Sequence, residues 1–134
     1  MSDKHPRAAQ RDMDPSGIAK ILEIFFGGNH SVEAAVLFDR TGETVDYHSV
    51  IDPFDTRLAA AYCGILFESA RYRMAWLEQA SLEILEMTCE HYDIVTVPVY
   101  EDFLLTVLAK PGTADESLLD AISGAREALI QDIG

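Results

Sequence analysis

The sequence predicts a single α+β domain whose elements run helix, two strands, helix, three strands, helix. Three observations lead there. Two stretches open with an aspartate-proline pair followed by apolar residues at helical spacing, the signature of an N-cap and a first helical turn. Five short stretches are rich in β-branched, aromatic and aliphatic residues and are separated by turn-forming Gly, Asp and Pro. A chain of 134 residues with 49% hydrophobic content supports one core and is too short for two.

Residues 1–13 are polar and of mixed charge, with too little apolar surface to offset the entropy of ordering them, so a mobile tail is expected ahead of a domain spanning 14–134. Asp14 is the candidate cap of a first helix, which Ile18, Ile21, Leu22, Phe25 and Phe26 make amphipathic and which Gly27-Gly28 is expected to stop. Val32 to Phe38 is apolar almost without break, as in a strand covered on both faces. Asp39-Arg40-Thr41-Gly42 turns the chain into a second strand, where Val45, Tyr47 and Ser49 alternate with Asp46 and His48. Asp52-Pro53 starts the longest helix, free of internal proline to about Leu77. Strands follow at Leu82 to Cys89, Ile94 to Val99 and Phe103 to Ala109. After Lys110-Pro111-Gly112, the residues Leu118, Leu119, Ile122, Ala125, Leu129 and Ile133 mark a closing helix.

The long helix is apolar on more than one side. Plotted at about 100° per residue, Arg57, Gly64, Glu68, Arg71 and Glu78 fall on one narrow side. One apolar row is Ala59, Cys63, Leu66, Phe67, Ala70, Met74 and Leu77, expected to face a sheet. A second row is Leu58, Tyr62, Ile65, Tyr72 and Trp76. A helix on the outside of one sheet needs one such row, so the second calls for another surface, and in a domain of this size that surface is another chain.

Charge narrows the partners. Ten Lys and Arg against 23 Asp and Glu give −13, a field that repels phosphate backbones and anionic headgroups, so neither nucleic acid nor membrane is expected to bind. No apolar run approaches the roughly 20 residues of a membrane span, and two cysteines without a secretory leader point to a reducing, cytoplasmic setting.

No catalytic, cofactor or metal constellation stands out. His5, His30, His48 and His91 are scattered without zinc-ligand spacing. Cys63 and Cys89 read as small hydrophobes with no positioned base beside them. Glu83, Glu86, Glu90, Asp93, Glu101 and Asp102 lack calcium-loop spacing and read as a solvated acidic rim suited to a basic partner. Gly27-Gly28-Asn29 follows a helix and precedes a strand, the reverse of a phosphate cradle.

The element order, with the run VEAAVLFDRTGETV, the long helix after DPFDTRLAAA and FLLTVLAKPG before a final helix, resembles the roadblock/dynein light-chain family over nearly the whole chain after the tail. The resemblance implies a five-stranded antiparallel sheet, with the long helix on one face and the two terminal helices on the other. It implies a non-enzymatic adaptor without cofactor or metal, working as a homodimer. The third strand would pair with its copy at the sheet edge while the long helices pack side by side. It further implies a small Ras-like GTPase, or a related polarity or motility scaffold, as the second partner. The partner-facing residues would then be Leu58, Tyr62, Ile65, Ser69, Tyr72 and Trp76 on the helix. On the edge strand they would be Glu83, Leu85, Met87 and Cys89. A different class of function, a small-ligand sensor with a profilin-like or PAS-like sandwich, would place Phe25, Phe38, Phe67 and Phe103 around one cavity.

Overall fold

The computed structural model describes residues 15–77 and 81–134. The expected tail, the cap at Asp14 and Glu78 lie outside the described residues. The order is α1 (Pro15–Gly28), β1 (Val32–Asp39), β2 (Thr44–Ser49), α2 (Pro53–Met74), β3 (Leu85–Thr88), β4 (Asp93–Val99), β5 (Phe103–Ala109) and α3 (Glu116–Ile133). The strands form one antiparallel sheet in the order β2-β1-β5-β4-β3.

The unbroken apolar run of β1 has the cause expected of it, because the sheet is covered on both faces. Ala35 and Leu37 point toward α1 and α3, where Ile18, Leu22, Ile122 and Leu129 complete one core. Val36 and Phe38 point the other way, into a smaller core with Ala60 and Phe67 of α2 and Leu104 of β5. The long helix therefore has one face of the sheet to itself and the terminal helices share the other. Between β4 and β5 on the α2 side, the buried Thr96 and Thr106 hydroxyls satisfy each other at 2.8 Å.

Several expectations are corrected in detail. Gly27 and Gly28 do not stop α1; they form its last turn, and neither has a positive φ. The stop falls at Asn29, whose side-chain amide donates to the Phe25 carbonyl at 2.8 Å and satisfies an end the glycines leave open. α2 ends at Met74, and Ala75 to Leu77 continue only as turns, with the amides of Trp76 and Leu77 reaching back three residues. β3 is four residues long, where eight were expected. The Cys89 amide donates to the Tyr92 carbonyl, so the ladder bonds of β3 to β4 fall at Met87 with Ile94 and Leu85 with Thr96. The next bonded pair would set Glu83 against Pro98, which has no N–H to give. Arg126 takes the Pro98 carbonyl instead, and the ladder stops.

The sheet-facing side of α2 also differs from the helical-wheel expectation. Thr56, Ala60, Cys63, Gly64 and Phe67 are the buried residues, and Leu66, Met74 and Leu77 are exposed. Ranking positions by apolar size missed that Ala60 and Gly64 let the helix approach closely. A Cβ on Gly64 would lie 2.8 Å from Cε2 of the buried Phe38 ring. Asp93 does not belong to a solvated rim. It is 6% exposed, and its Oδ2 accepts from the amides of Gly112 and Ala114 at 2.9 and 3.1 Å, clasping the β5–α3 connection. Gly112 holds φ +78° in that connection, which an L side chain would resist.

Two stability changes follow. Gly64→Ala pushes into Phe38 and is destabilising by about 1–3 kcal/mol, less the ~1 kcal/mol that alanine returns in helix propensity. Asp93→Ala leaves two backbone donors unpaired and costs about 1–3 kcal/mol. Urea unfolding followed by circular dichroism measures both against the parent chain.

Candidate interaction surface

The side of α2 directed away from the sheet carries Phe54, Leu58, Tyr62, Ile65, Ser69 and Tyr72, and the turn after the helix adds Trp76. Tyr62, Ile65, Tyr72 and Trp76 are 60–76% exposed. Their spacing places them on one strip of helix surface, opposite the strip formed by Ala60, Cys63 and Phe67. Tyr72 and Trp76 meet edge to face, with ring centroids 6.2 Å apart. Leu66 and Leu77, expected inside, are exposed and widen the strip. Phe54 belongs to it as well and was missed. Its position one turn before Leu58 was the available signal.

A charged cluster braces α2 against the β1–β2 turn. Arg40 in that turn donates to Oε1 of Glu68 at 3.0 Å, while Arg71 takes Oε2 and lays its guanidinium 5.4 Å from the centroid of the Phe67 ring. Burial pushes the Glu68 carboxyl up, but the hydrogen bonds and charges of Arg40 and Arg71 outweigh it and hold the group below its ordinary value. In the turn itself Asp39 is raised by burial and lowered further by the Thr41 hydroxyl and the amides of Glu43, Thr41 and Gly42, with a net fall. Gly42 takes φ +91° there. These contacts tie α2 to the β1–β2 turn. The polar side of the helix, Gly64, Glu68 and Arg71, lies toward the sheet margin; the sequence suggested only that these positions share a side.

The second group of expected partner-facing residues lies at the opposite end of the sheet. β3 is an edge strand. Leu85 and Met87 direct half-buried side chains to the α2 side, Leu85 against the core that holds Phe67. Glu86 and Thr88 are exposed, and because Leu85 and Met87 make the ladder bonds to β4, the amides and carbonyls of Glu86 and Thr88 point outward. Glu83 and Cys89 are exposed. Cys63 is buried, and burial pushes its thiol up, as suits an inert core residue. At the other edge, Asp46 on β2 accepts from the Tyr47 amide at 2.9 Å. That edge is guarded by its own carboxylate. β3 has neither proline nor lysine as a guard.

The four phenylalanines proposed to line one ligand cavity do not meet. Phe25 and Phe103 belong to the core under α1 and α3, and Phe38 and Phe67 to the core under α2, with the sheet between them. No helix among the described residues is long and apolar enough to cross a membrane.

No protein-family model and no curated protein matches the sequence. Among solved structures, the chain is similar to a Roadblock/LC7 domain from Streptomyces avermitilis, with 14% identity, a TM-score of 0.74, and coverage of 82% of this chain and 92% of that one. It is similar to the gliding protein MglB from Thermus thermophilus, with 19% identity, a TM-score of 0.76, and coverage of 89% and 90%. It is similar also to Myxococcus xanthus MglB, with 12% identity, a TM-score of 0.80, and coverage of 90% of each chain. At these identities the likeness is one of fold, and the fold of this chain is of the roadblock type.

The depressed Glu68 carboxyl makes a pH prediction. Its contribution to stability is present above the ordinary glutamate value of 4.5 and is lost as pH falls through the lower folded-state value. Glu68→Gln flattens the fall in melting temperature below pH 4.5, as thermal melts of parent and variant across an acid series measure.

Proposed function

We infer that this chain is a non-enzymatic, cytoplasmic platform that pairs with a second copy of itself and then binds a partner protein. The observation that carries this reading is the outward apolar strip of α2, too large and too continuous to belong to a helix facing water. Charge does not stand in the way of a second copy as its cover. The chain carries −13, yet α2 as a whole holds Asp55 and Glu68 against Arg57, Arg71 and Arg73, so two copies meeting there bring nearly neutral helices together, away from the bulk of the negative charge.

The open edge of β3 extends the same contact, and its hydrogen-bond phase restricts how two copies pair. A two-fold axis at Met87 sets Glu86 against Thr88 of the second copy, with the outward amides and carbonyls of both meeting. It places Glu83 opposite His91 of the second copy. Centring the axis on Glu86 would oppose two Glu86 side chains, and centring it on Thr88 would oppose Glu86 and Glu90; the Met87 register avoids both repulsions. The further partner, a small Ras-like GTPase or a related polarity or motility protein, is the class that the roadblock resemblance implies. The gliding protein among the structural neighbours supports that direction.

Light scattering over a dilution series is expected to give twice the 14.8 kDa chain mass. Ile65→Glu is expected to return the protein to chain mass while it stays folded, because an interface anchor of this size contributes on the order of 2 kcal/mol per copy. In a Cys89→Ser background, Met87→Cys is expected to form an intermolecular disulfide in air. A folded parent at chain mass throughout contradicts the pairing; a dimer without the Met87→Cys cross-link contradicts only the register. Retention of a purified Ras-like GTPase by the immobilised parent chain checks the second step, and no retention in either nucleotide state argues against that partner class.

A further inference from the structure

On the face of the sheet away from α2, a groove of about 290 Å³ runs between α1 and α3, walled by Ile21, Ile24 and Phe25 on one side and Ala121, Gly124 and Ala128 on the other. We propose that it receives a basic amphipathic helix from a partner protein, independently of the pairing through α2 and β3.

The groove stays open because its α3 wall is made of small residues. Gly124 lies in the middle of α3, has no positive φ, and a Cβ built on it would meet nothing within 4 Å. Packing does not require glycine there, and alanine would make the helix more stable by about 1 kcal/mol. Against this open wall Ile24 is 65% exposed beside the buried Phe25. The trough is apolar and open along its length, a shape that takes side chains at helical spacing from an approaching helix and leaves a small molecule largely in water.

Charge selects the occupant. Asp120, Gly124 and Glu127 follow one another along the outer margin of α3 at four- and three-residue steps, with both carboxylates exposed. Over its length α3 carries Glu116, Asp120, Glu127 and Asp132 against Arg126, and Arg126 is already engaged by the Pro98 carbonyl and Glu127. Lys20 is the only cation of α1. A second copy would set one acidic margin against another, and an anionic membrane would be repelled by the chain as a whole. A helix with an apolar face and flanking Lys or Arg satisfies both the floor and the margin.

The test titrates the full chain with an 18-residue synthetic peptide carrying leucines at helical spacing and lysines elsewhere. The same peptide with glutamates in place of the lysines serves as the comparison. The lysine peptide is expected to bind, with amide chemical-shift changes concentrated in α1 and α3. Gly124→Leu, which fills the trough, is expected to weaken it about tenfold, the equivalent of ~1.4 kcal/mol. The Asp120→Lys/Glu127→Lys double variant keeps the trough and is expected to prefer the glutamate peptide. Shifts on the α2 strip, equal binding of the two peptides by the parent, no binding, or indifference to both variants would each overturn the proposal.

Discussion

The pairing of β1 with β5 at the centre of the sheet is the constraint on which the rest of the molecule depends. Both strands are buried on both faces, so each alternate side chain must find cover from a different layer. Ala35, Leu37, Leu105 and Val107 look toward α1 and α3, and Val36, Phe38 and Leu104 toward α2. One helix alone covers the second face, and it spends its small residues doing so. Ala60 and Gly64 bring α2 down onto Phe38, and Arg40 and Arg71 hold Glu68 at the margin. The large residues left over, from Phe54 to Trp76, find no cover among the described residues.

This division of labour gives the two faces different characters. The terminal helices face each other across one core and leave between them a groove walled by large apolar residues of α1 and by glycine and alanine of α3, whose outer margin is acidic. The long helix presents aromatic and aliphatic side chains on a surface that carries little of the chain's negative charge. The edge strands are unequal in the same sense. β2 covers its outward Tyr47 amide with Asp46, while Glu86 and Thr88 of β3 are left uncovered among the described residues. The open edge and the apolar helix strip bear on the same face of the sheet, through Leu85 and the core that holds Phe67.

Much of this was legible in the sequence because it rests on strong local signals. The unbroken β1 run, the Asp52-Pro53 start of α2 and the exact span of β5 needed no tertiary information, and the second apolar row of α2 was visible as an excess over what one sheet could cover. What was missed depends on partners distant in the sequence. Gly64 reads as a neutral gap on a wheel until Phe38 is known to lie beneath it. Asp93 reads as one more surface acid until Gly112 and Ala114 are folded over it. β3 reads as eight residues until Pro98, two strand positions beyond its last partner, proves unable to extend the ladder. Gly27-Gly28 reads as a stop because glycine so often ends helices, yet the Asn29 side chain supplies the stop one residue later. The groove between α1 and α3 left no local trace, since its walls are defined by what Gly124 and its neighbours lack.

Trp76 offers the most direct measurement, because it is the only tryptophan in the chain and is 76% exposed in the single subunit. If the α2 strip is covered by a second copy, its emission is blue-shifted in concentrated solution and moves to the red on dilution, in step with the change in mass. Emission typical of a water-exposed indole at every concentration would contradict the account.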